Sequence, residues 1–227
     1  MEKHKKYLKP TQFAELEILK AIVYKKWSVG QKIAPERELA ETLGITRPTL
    51  REVLQRLSRD GWITITHGKP TIVNDYKNEG GLAILNSLIN FNELASSKLV
   101  EDWLEFRVIM FPELAYKAIL SNSTEIIDFL NNMPDTESTS KEFAKYDWNL
   151  QMLLIKLSNN SIAKMIYNDL SDLYQEHCNM YFDSELAKSK SLSYYIDLKQ
   201  AIKDNKESTK AIIKATMVES AALWSKL

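Results

Sequence analysis

Turn-forming and disulfide-forming residues are scarce in this 227-residue sequence, which contains one cysteine, six glycines and six prolines. So few glycines and prolines argue against an all-β chain, which would need many tight turns. The single thiol, Cys178, cannot form an internal disulfide, and this favours the reducing cytoplasm. No uncharged apolar run approaches the roughly 18 residues of a membrane-spanning helix, and the N-terminus lacks the apolar core of a signal peptide. We therefore expect a helix-rich cytoplasmic protein with no membrane partner.

Charge is unevenly distributed along a chain whose overall composition is ordinary. Hydrophobic residues make up 44% of the sequence and charged residues 26%, and the formal net charge is zero. Residues 1–76 hold 14 lysines and arginines against 9 aspartates and glutamates, whereas the remainder holds 16 against 21. Such asymmetry suggests that the N-terminal part meets a polyanion and that the C-terminal part does not.

The N-terminal third of the sequence shows the pattern of a winged helix-turn-helix. An amphipathic helix beginning at Pro10 is followed by two shorter helices, predicted over 35–43 and 47–60. Alternating β-branched residues then predict a hairpin with strands at 62–66 and 71–73. Two short helices joined by a tight turn and followed by a hairpin are typical of this fold. We assign residues 1–76 to a winged helix domain.

The remaining sequence predicts only helices. A polar stretch that holds the only Gly-Gly pair, 77–81, is predicted to be a linker, and 82–227 shows apolar residues at helical spacing throughout. The predicted helices cover roughly 82–93, 97–120, 124–132, 139–157, 161–182, 184–204 and 207–226. Pro112 should bend or break the second of them. The expected fold class is mainly α: a winged helix-turn-helix followed by an antiparallel bundle of about seven helices.

The second short helix of the N-terminal domain carries side chains suited to duplex DNA. Arg47 and Arg51 lie one turn apart on one face, and arginine pairs bidentately with guanine in the major groove. Thr46 and Thr49 lie at the N-terminus of this helix, where backbone N–H groups favour a phosphate. The further candidates are Arg37 in the preceding helix and His67, Gly68 and Lys69 at the tip of the hairpin. Solvated arginines and ordinary hairpin turns share these features, and some winged helices bind proteins instead.

The segment PERELAETLGITRPTLREVLQRLSRDGWITITHGKPTIVN resembles the DNA-binding domain of the GntR superfamily, and in particular that of its FadR subfamily. The resemblance implies a homodimer that binds palindromic, double-stranded operator DNA. The contacts that it implies are Arg37, Arg47, Thr49 and Arg51 in the major groove or on phosphates, and His67 and Lys69 in the wing. Pro48 stands where the subfamily carries threonine, so a hydroxyl and an N–H are lost and operator preference should differ slightly.

Two helices of the second half place polar groups on apolar stripes. Tyr174, Cys178 and Tyr181 share one helix face, and Ser220 and Trp224 continue an apolar stripe on the last helix. Such groups could hold a thioester or a pantetheine, although tyrosines in a bundle core usually fill space and find one hydrogen bond. The pattern alone leaves both interpretations open.

The segments EFRVIM, LYQEHCNMYF and ESAALW make the second half resemble the FadR-type effector domain. This resemblance implies long-chain acyl-CoA as the effector ligand, without a cofactor. The ligand contacts that it implies are Arg107, Tyr174, Tyr181, Tyr195, Lys214, Glu219, Ser220 and Trp224. Lys214 replaces a family arginine and loses its planar fork. Met217 replaces a glycine near the ligand, and its bulk bears on the acyl length that the protein accepts.

The favoured hypothesis is a transcription regulator of fatty acid metabolism that acts as a homodimer and leaves its operator when long-chain acyl-CoA binds. A second hypothesis is a GntR-type regulator of carbon metabolism that responds to a different small molecule. An enzyme acting on thioesters through the adjacent His177 and Cys178 is disfavoured, because neighbours in a helix point about 100° apart and no oxyanion-hole motif is present.

The sequence lacks the metal-binding residues that many GntR relatives carry, an aspartate and three histidines. Asp147 aligns with the family aspartate, but Gln151 stands where the first histidine should be. Of the three histidines, His4 lies in the N-terminal tail and His67 in the wing, so only His177 remains. One histidine cannot complete such a site. No metal site is expected.

We predict that the purified protein carries no stoichiometric metal. Elemental analysis of the protein, purified without chelator, should find zinc and nickel far below one atom per chain. One metal atom per chain that can be removed only with loss of folding or of DNA binding would contradict this prediction.

Overall fold

The structure, a computed structural model, describes residues 8–91, 94 and 96–225, with the backbone alone at 172, 173 and 175–177. The chain forms two compact units, Met1–Leu94 and Ala95–Leu227. The elements of the first unit are α1 (Pro10–Val23), α2 (Glu36–Leu43), α3 (Arg47–Asp60), β1 (Ile63–Thr64), β2 (Ile72–Val73), α4 (Tyr76–Glu79) and α5 (Leu82–Asn90). Those of the second unit are α6 (Ser97–Leu130), α7 (Ser140–Leu157), α8 (Ser161–Asp169), α9 (Ser171–Phe182), α10 (Glu185–Asp204) and α11 (Lys206–Trp224). The predicted fold class is confirmed.

The helix-turn-helix is built from one helix stop and one helix cap. Gly44 ends α2, and its backbone N–H bonds back to the last turn of that helix. Thr46 then caps α3, since its hydroxyl accepts the Thr49 N–H at 3.3 Å. The apolar stripe of α3 is buried at Leu50, Val53, Leu54 and Leu57. Because this stripe packs inward, the opposite face of α3 must point to solvent.

The wing is an antiparallel hairpin in which Ile63 pairs with Val73 and Thr64 with Ile72. Its strands are shorter than the predicted 62–66 and 71–73. Ile65 is exposed, since the hairpin tip has no core to cover it and alternation alone does not sustain pairing there. A third backbone segment supports the hairpin, because Ile33 donates its N–H to the Thr71 carbonyl at 2.9 Å.

The first unit extends past the predicted linker at 77–81. Most of that segment forms the single turn of α4, which Gly80 follows. A Cβ at position 80 would lie 2.2 Å from the Tyr76 carbonyl oxygen, so only glycine fits there. The Tyr76 ring lies 4.8 Å from that of Trp62. Ile84 of α5 is buried in the same core as α3. The unit includes residues up to Leu94, because Ile84 and Leu94 are buried in the winged core and Leu88 and Phe91 pack against it.

Helix α6 shows where local geometry and packing differ from the sequence pattern. The predicted break at Asn122-Ser123 is present, since Asn122 has non-helical angles, φ −138° and ψ 37°, and kinks the chain between two helical parts of α6. Pro112 is buried within α6, but the backbone there stays helical and the expected break is not found. A proline removes one backbone hydrogen bond, and packing on the helix can compensate for that loss.

All six described helices of the second unit contribute to its core, α8 through the buried Ala163 and Tyr167. Helix α6 packs against α7 and α11, α7 packs against α9, and α10 packs against α11. The helix predicted over 161–182 is divided at Leu170 into α8 and α9. The chain turns at this junction, and the Leu170 side chain remains buried in the core. In the described part of the chain, no helix is long and apolar enough to cross a bilayer.

Candidate functional site

The exposed face of α3 carries the two arginines predicted to read DNA. Arg47 and Arg51 are both exposed, one turn apart, on the side opposite the buried stripe. A shallow depression next to them is lined by Glu36, Arg47, Pro48, Arg51, Glu52 and Gln55. An α-helix fits the major groove of duplex DNA, and the face of α3 that packing leaves exposed is the one that carries Arg47 and Arg51.

Two of the predicted DNA contacts are held by carboxylates. Arg51 donates from Nε and from Nη2 to Oε2 of Glu36, at 3.3 Å and 3.1 Å. Arg37 donates from Nε to Oε1 of Glu41 at 3.2 Å. Neither glutamate was among the predicted site residues, although the four-residue spacing of Arg37 and Glu41 on one helix is itself a signal for such a pair.

The threonines and the wing tip also lie where the sequence placed them. The Thr46 and Thr49 hydroxyls are hydrogen-bonded to each other at 2.8 Å. Thr46 caps the helix, and Thr49 is half-buried beside it. His67, Gly68 and Lys69 are exposed at the hairpin tip. Gly68 has φ +71°, a conformation that glycine adopts without strain. The tip thus presents a turn with an imidazole and an ammonium group to solvent.

The second unit contains a cavity that opens to solvent. Side chains from α6, α7, α9, α10 and α11 line it: Val100, Trp103, Leu104, Arg107, Asp147, Tyr174, Cys178, Tyr181, Phe182, Lys190, Ser191, Thr216, Met217, Glu219, Ser220 and Trp224. Most of this lining is apolar or aromatic, with a few polar groups that converge on the same space. That combination is typical of a small-molecule site.

Arg107 is a buried cation in this cavity. Its side chain is 5% exposed, and its Nη2 donates to the Ser220 hydroxyl at 2.6 Å. The Arg107 Nε has no hydrogen-bond partner, and no carboxylate of the described residues forms an ion pair with Arg107. Burying a charge is costly unless it is paired. Among the described residues, the guanidinium that lines this cavity thus has one hydroxyl partner and no direct ion pair.

Asp147 organises the opposite wall through three donors. It accepts hydrogen bonds from Gln151 at 2.7 Å, from the Tyr195 hydroxyl at 2.8 Å and from the Tyr174 hydroxyl. Burial raises the pKa of Tyr174 and Tyr195 well above the usual range, and the Asp147 charge raises it further. Both phenols therefore stay neutral and act as donors. Gln151 contributes a third donor to the same carboxylate.

Metal and thiol chemistry find little support here. No cluster of three or more histidine, cysteine, aspartate or glutamate side chains occurs among the described residues. Burial, followed by the Asp147 charge, raises the pKa of the Cys178 thiol far above its usual range. Since the thiolate is the nucleophilic form, this thiol is a poor nucleophile. The side chain of His177, its candidate base, lies outside the described residues.

Six of the eight predicted ligand contacts line the cavity. They are Arg107, Tyr174, Tyr181, Glu219, Ser220 and Trp224. Tyr195 is fully buried and reaches the lining through its bond to Asp147. Lys214 is exposed on α11, outside the lining. It points to solvent because the inward stripe of α11 runs through Ile213 and Met217, which are buried.

A lysine that the sequence analysis missed lies at the mouth of the cavity. Lys190 of α10 forms an ion pair with Glu219 of α11, with Nζ and Oε1 2.8 Å apart and both side chains 47% exposed. The other lining cation, Arg107, is buried, so the half-exposed pair marks the opening. Lysines recur along α10, and only the packing of α10 on α11 shows which of them reaches the cavity.

Comparison with known proteins gives matches along the whole chain. Residues 10–73 match the family model of bacterial regulatory proteins, gntR family, and residues 74–227 match that of the FadR C-terminal domain. The fatty acid metabolism regulator proteins of Shewanella pealeana and Shewanella halifaxensis are each 36% identical over 219 residues, which cover 96% of this chain and 92% of each relative. Lar, a protein that controls the expression of the Listeria monocytogenes agr system, has a similar fold, with a TM-score of 0.61 at 15% identity over 98% of this chain and 100% of that chain.

The Asp147 cluster allows a matched test of its contribution to stability. Tyr195→Phe removes a buried hydroxyl that donates to the carboxylate, and hydrogen bonds to charged groups contribute about 1.5–3 kcal/mol. The adjacent Tyr194 is also buried, but its hydroxyl forms no hydrogen bond to the described residues. Urea denaturation should show a loss of about 2 kcal/mol for Tyr195→Phe and a much smaller loss for Tyr194→Phe. Equal losses would mean that the Asp147 bond adds nothing.

Proposed function

The chain belongs to the FadR family of gntR-type bacterial regulatory proteins, which are transcription regulators and not enzymes, and from this premise we propose that it regulates fatty acid metabolism by leaving its operator DNA when long-chain acyl-CoA binds. It acts in the cytoplasm as a homodimer on palindromic operators. The observation that carries the effector half of this proposal is the buried Arg107, which has a hydroxyl as its one hydrogen-bond partner among the described residues. A protein that keeps such a charge inside an apolar cavity has a use for it there.

The DNA half of the proposal rests on the exposed face of α3. Arg47 and Arg51 share that face, and bidentate contacts to guanine are the most common specific contacts that arginine makes in the major groove. The N-terminus of α3, with Thr46 and Thr49, suits a backbone phosphate. Arg37 completes the set on α2. The wing residues His67, Gly68 and Lys69 reach an adjacent groove or phosphate in this arrangement.

The effector half assigns different parts of the ligand to different parts of the cavity. The apolar and aromatic lining takes the acyl chain. Arg107 and the phenol of Tyr181 line the cavity, and we assign to them the donors that a thioester or pantetheine oxygen would need. The CoA phosphates require cations at the mouth, where Lys190 lies. Lys214, exposed outside the lining, serves a phosphate that projects beyond the opening.

One observation favours the second candidate, a regulator with a different effector. Met217 is 3% exposed and forms part of the cavity wall beside Ser220. A side chain of this size occupies space that an acyl chain would use. A shorter or differently shaped apolar ligand would fit such a wall better, so the length of the accepted chain decides between the two candidates.

The DNA-reading surface predicts two kinds of loss. Arg47→Ala and Arg51→Ala should each weaken operator binding by about 1–3 kcal/mol, because each removes a bidentate base contact. Lys69→Ala should weaken binding to all sequences more evenly and flatten the dependence on salt, because it removes a phosphate contact. Fluorescence anisotropy with operator and scrambled duplexes at several salt concentrations measures both effects. If all three variants bind like wild type, α3 is not the recognition helix.

The cavity predicts linkage between effector and operator. A ligand releases DNA only if it prefers the conformation that does not bind DNA, so DNA must weaken ligand binding by the same factor. Calorimetric titration with oleoyl-CoA should therefore give a lower affinity in the presence of operator. Equal affinities would show that the sites are not coupled, and no binding in either titration would favour the second candidate.

Two substitutions in the cavity wall sharpen that experiment. Ser220→Asn should leave DNA binding intact and blunt release, because a larger polar group enters the buried contact with Arg107. Met217→Gly should, if anything, strengthen the response to oleoyl-CoA by removing bulk from the wall. A Ser220→Asn variant that oleoyl-CoA releases from operator as easily as wild type would place the ligand elsewhere.

A further inference from the structure

We infer that Glu36 is a specificity-determining residue of the DNA-reading surface, which acts by holding the Arg51 guanidinium in one orientation. This inference rests on the proposed function and adds to it a residue that makes no base contact itself. The carboxylate lies in the first turn of α2, and the arginine lies on α3. The contact therefore joins the two helices of the helix-turn-helix across its exposed side.

The geometry of the contact leaves the base-reading end of the arginine free. Nε and Nη2 of Arg51 both donate to Oε2 of Glu36, at 3.3 Å and 3.1 Å. A guanidinium has five N–H donors in a rigid plane, so three remain, including both on Nη1. Those three suffice for a bidentate contact to guanine. Glu36 thus fixes the plane of the group without using up its capacity to read a base.

Holding Arg51 matters because the side chain is otherwise well exposed. Its exposed fraction is 63%, against 33% for Glu36. A long, solvated arginine near a duplex has many phosphate oxygens to choose from, and phosphate contacts carry no direct sequence information. A carboxylate that limits the guanidinium to one orientation disfavours those alternatives. Its negative charge also opposes the approach of phosphates at any sequence.

Glu36 should therefore lower overall affinity and raise discrimination. The same surface contains a natural control, Glu52, which is exposed, lines the same depression and follows Arg51 directly in sequence. Within the described residues Glu52 forms no hydrogen bond or ion pair. Removing either carboxylate changes the local charge by the same amount, but only the loss of Glu36 releases the arginine.

The experiment compares Glu36→Ala with Glu52→Ala in the full-length protein. Wild-type protein first selects a duplex from a pool with a randomised core of about 20 base pairs, two turns of DNA. The selected duplex and its scrambled counterpart are then titrated with each variant. Both variants should bind the scrambled duplex more tightly than wild type. The ratio of the two affinities should fall roughly tenfold for Glu36→Ala and stay within about twofold for Glu52→Ala.

A double-mutant cycle shows whether the effect passes through Arg51. In an Arg51→Ala background, Glu36→Ala should change the affinity ratio no more than Glu52→Ala does, because the side chain to be held is absent. Thermal unfolding of each variant checks that α2 is intact. If Glu36→Ala is unstable, the Glu36→Gln variant is used in its place, because glutamine keeps the shape of the side chain. The ratio of the two affinities should then fall by less than for Glu36→Ala.

Two results would overturn the inference while the proposed function stands. Equal affinity ratios for Glu36→Ala and Glu52→Ala would mean that Glu36 acts only through its negative charge and not by orienting Arg51. A higher ratio for Glu36→Ala than for wild type would mean that the carboxylate draws Arg51 away from the bases. Selection that yields no preferred duplex for wild type would instead overturn the proposed function, and this inference with it.

Discussion

A buried guanidinium needs hydrogen-bond acceptors or a negative charge around it. In the described part of the helical unit, Arg107 has one such acceptor, a hydroxyl. Arg107 of α6 is bonded to Ser220 of α11, and α6 and α11 are packed together. Among the described residues, the Arg107 Nε has no hydrogen-bond partner. Since an unpaired buried charge destabilises the fold, a ligand that supplies an acceptor is favoured there. The unpaired donor of Arg107 is thus as important a feature of the cavity as its volume.

Carboxylates orient their neighbours in both units of the protein. Asp147 holds two phenols and an amide around one wall of the cavity. Glu36 holds Arg51 on the exposed face of α3. In neither case does the carboxylate need to touch the ligand or the base, because its effect is to reduce the number of orientations that a long or polar side chain can adopt. A preorganised donor loses less entropy on binding.

Much of the fold was predictable because it depends on local patterns. Helical periodicity gave most helices to within a few residues, and Asn122 marked a real irregularity in α6. An error occurred where distant packing outweighs local preference: Leu170 divides one predicted helix into two. The first compact unit extends to Leu94, past the predicted linker, because Ile84 and Leu94 are buried in its core.

The sequence by itself determined the kind of protein and most of the side chains that bear on its sites. Motifs at fixed spacing indicate a helix-turn-helix and a wing, since one-turn and hairpin spacings translate directly into shared faces, whereas the effector domain was implied by the resemblance of short segments to a known family. Only the tertiary structure decided which charges are paired. The contacts of Arg51 with Glu36, Lys190 with Glu219 and Arg107 with Ser220 each join two different helices. Such contacts depend on how helices pack, and no pattern along one helix contains that information.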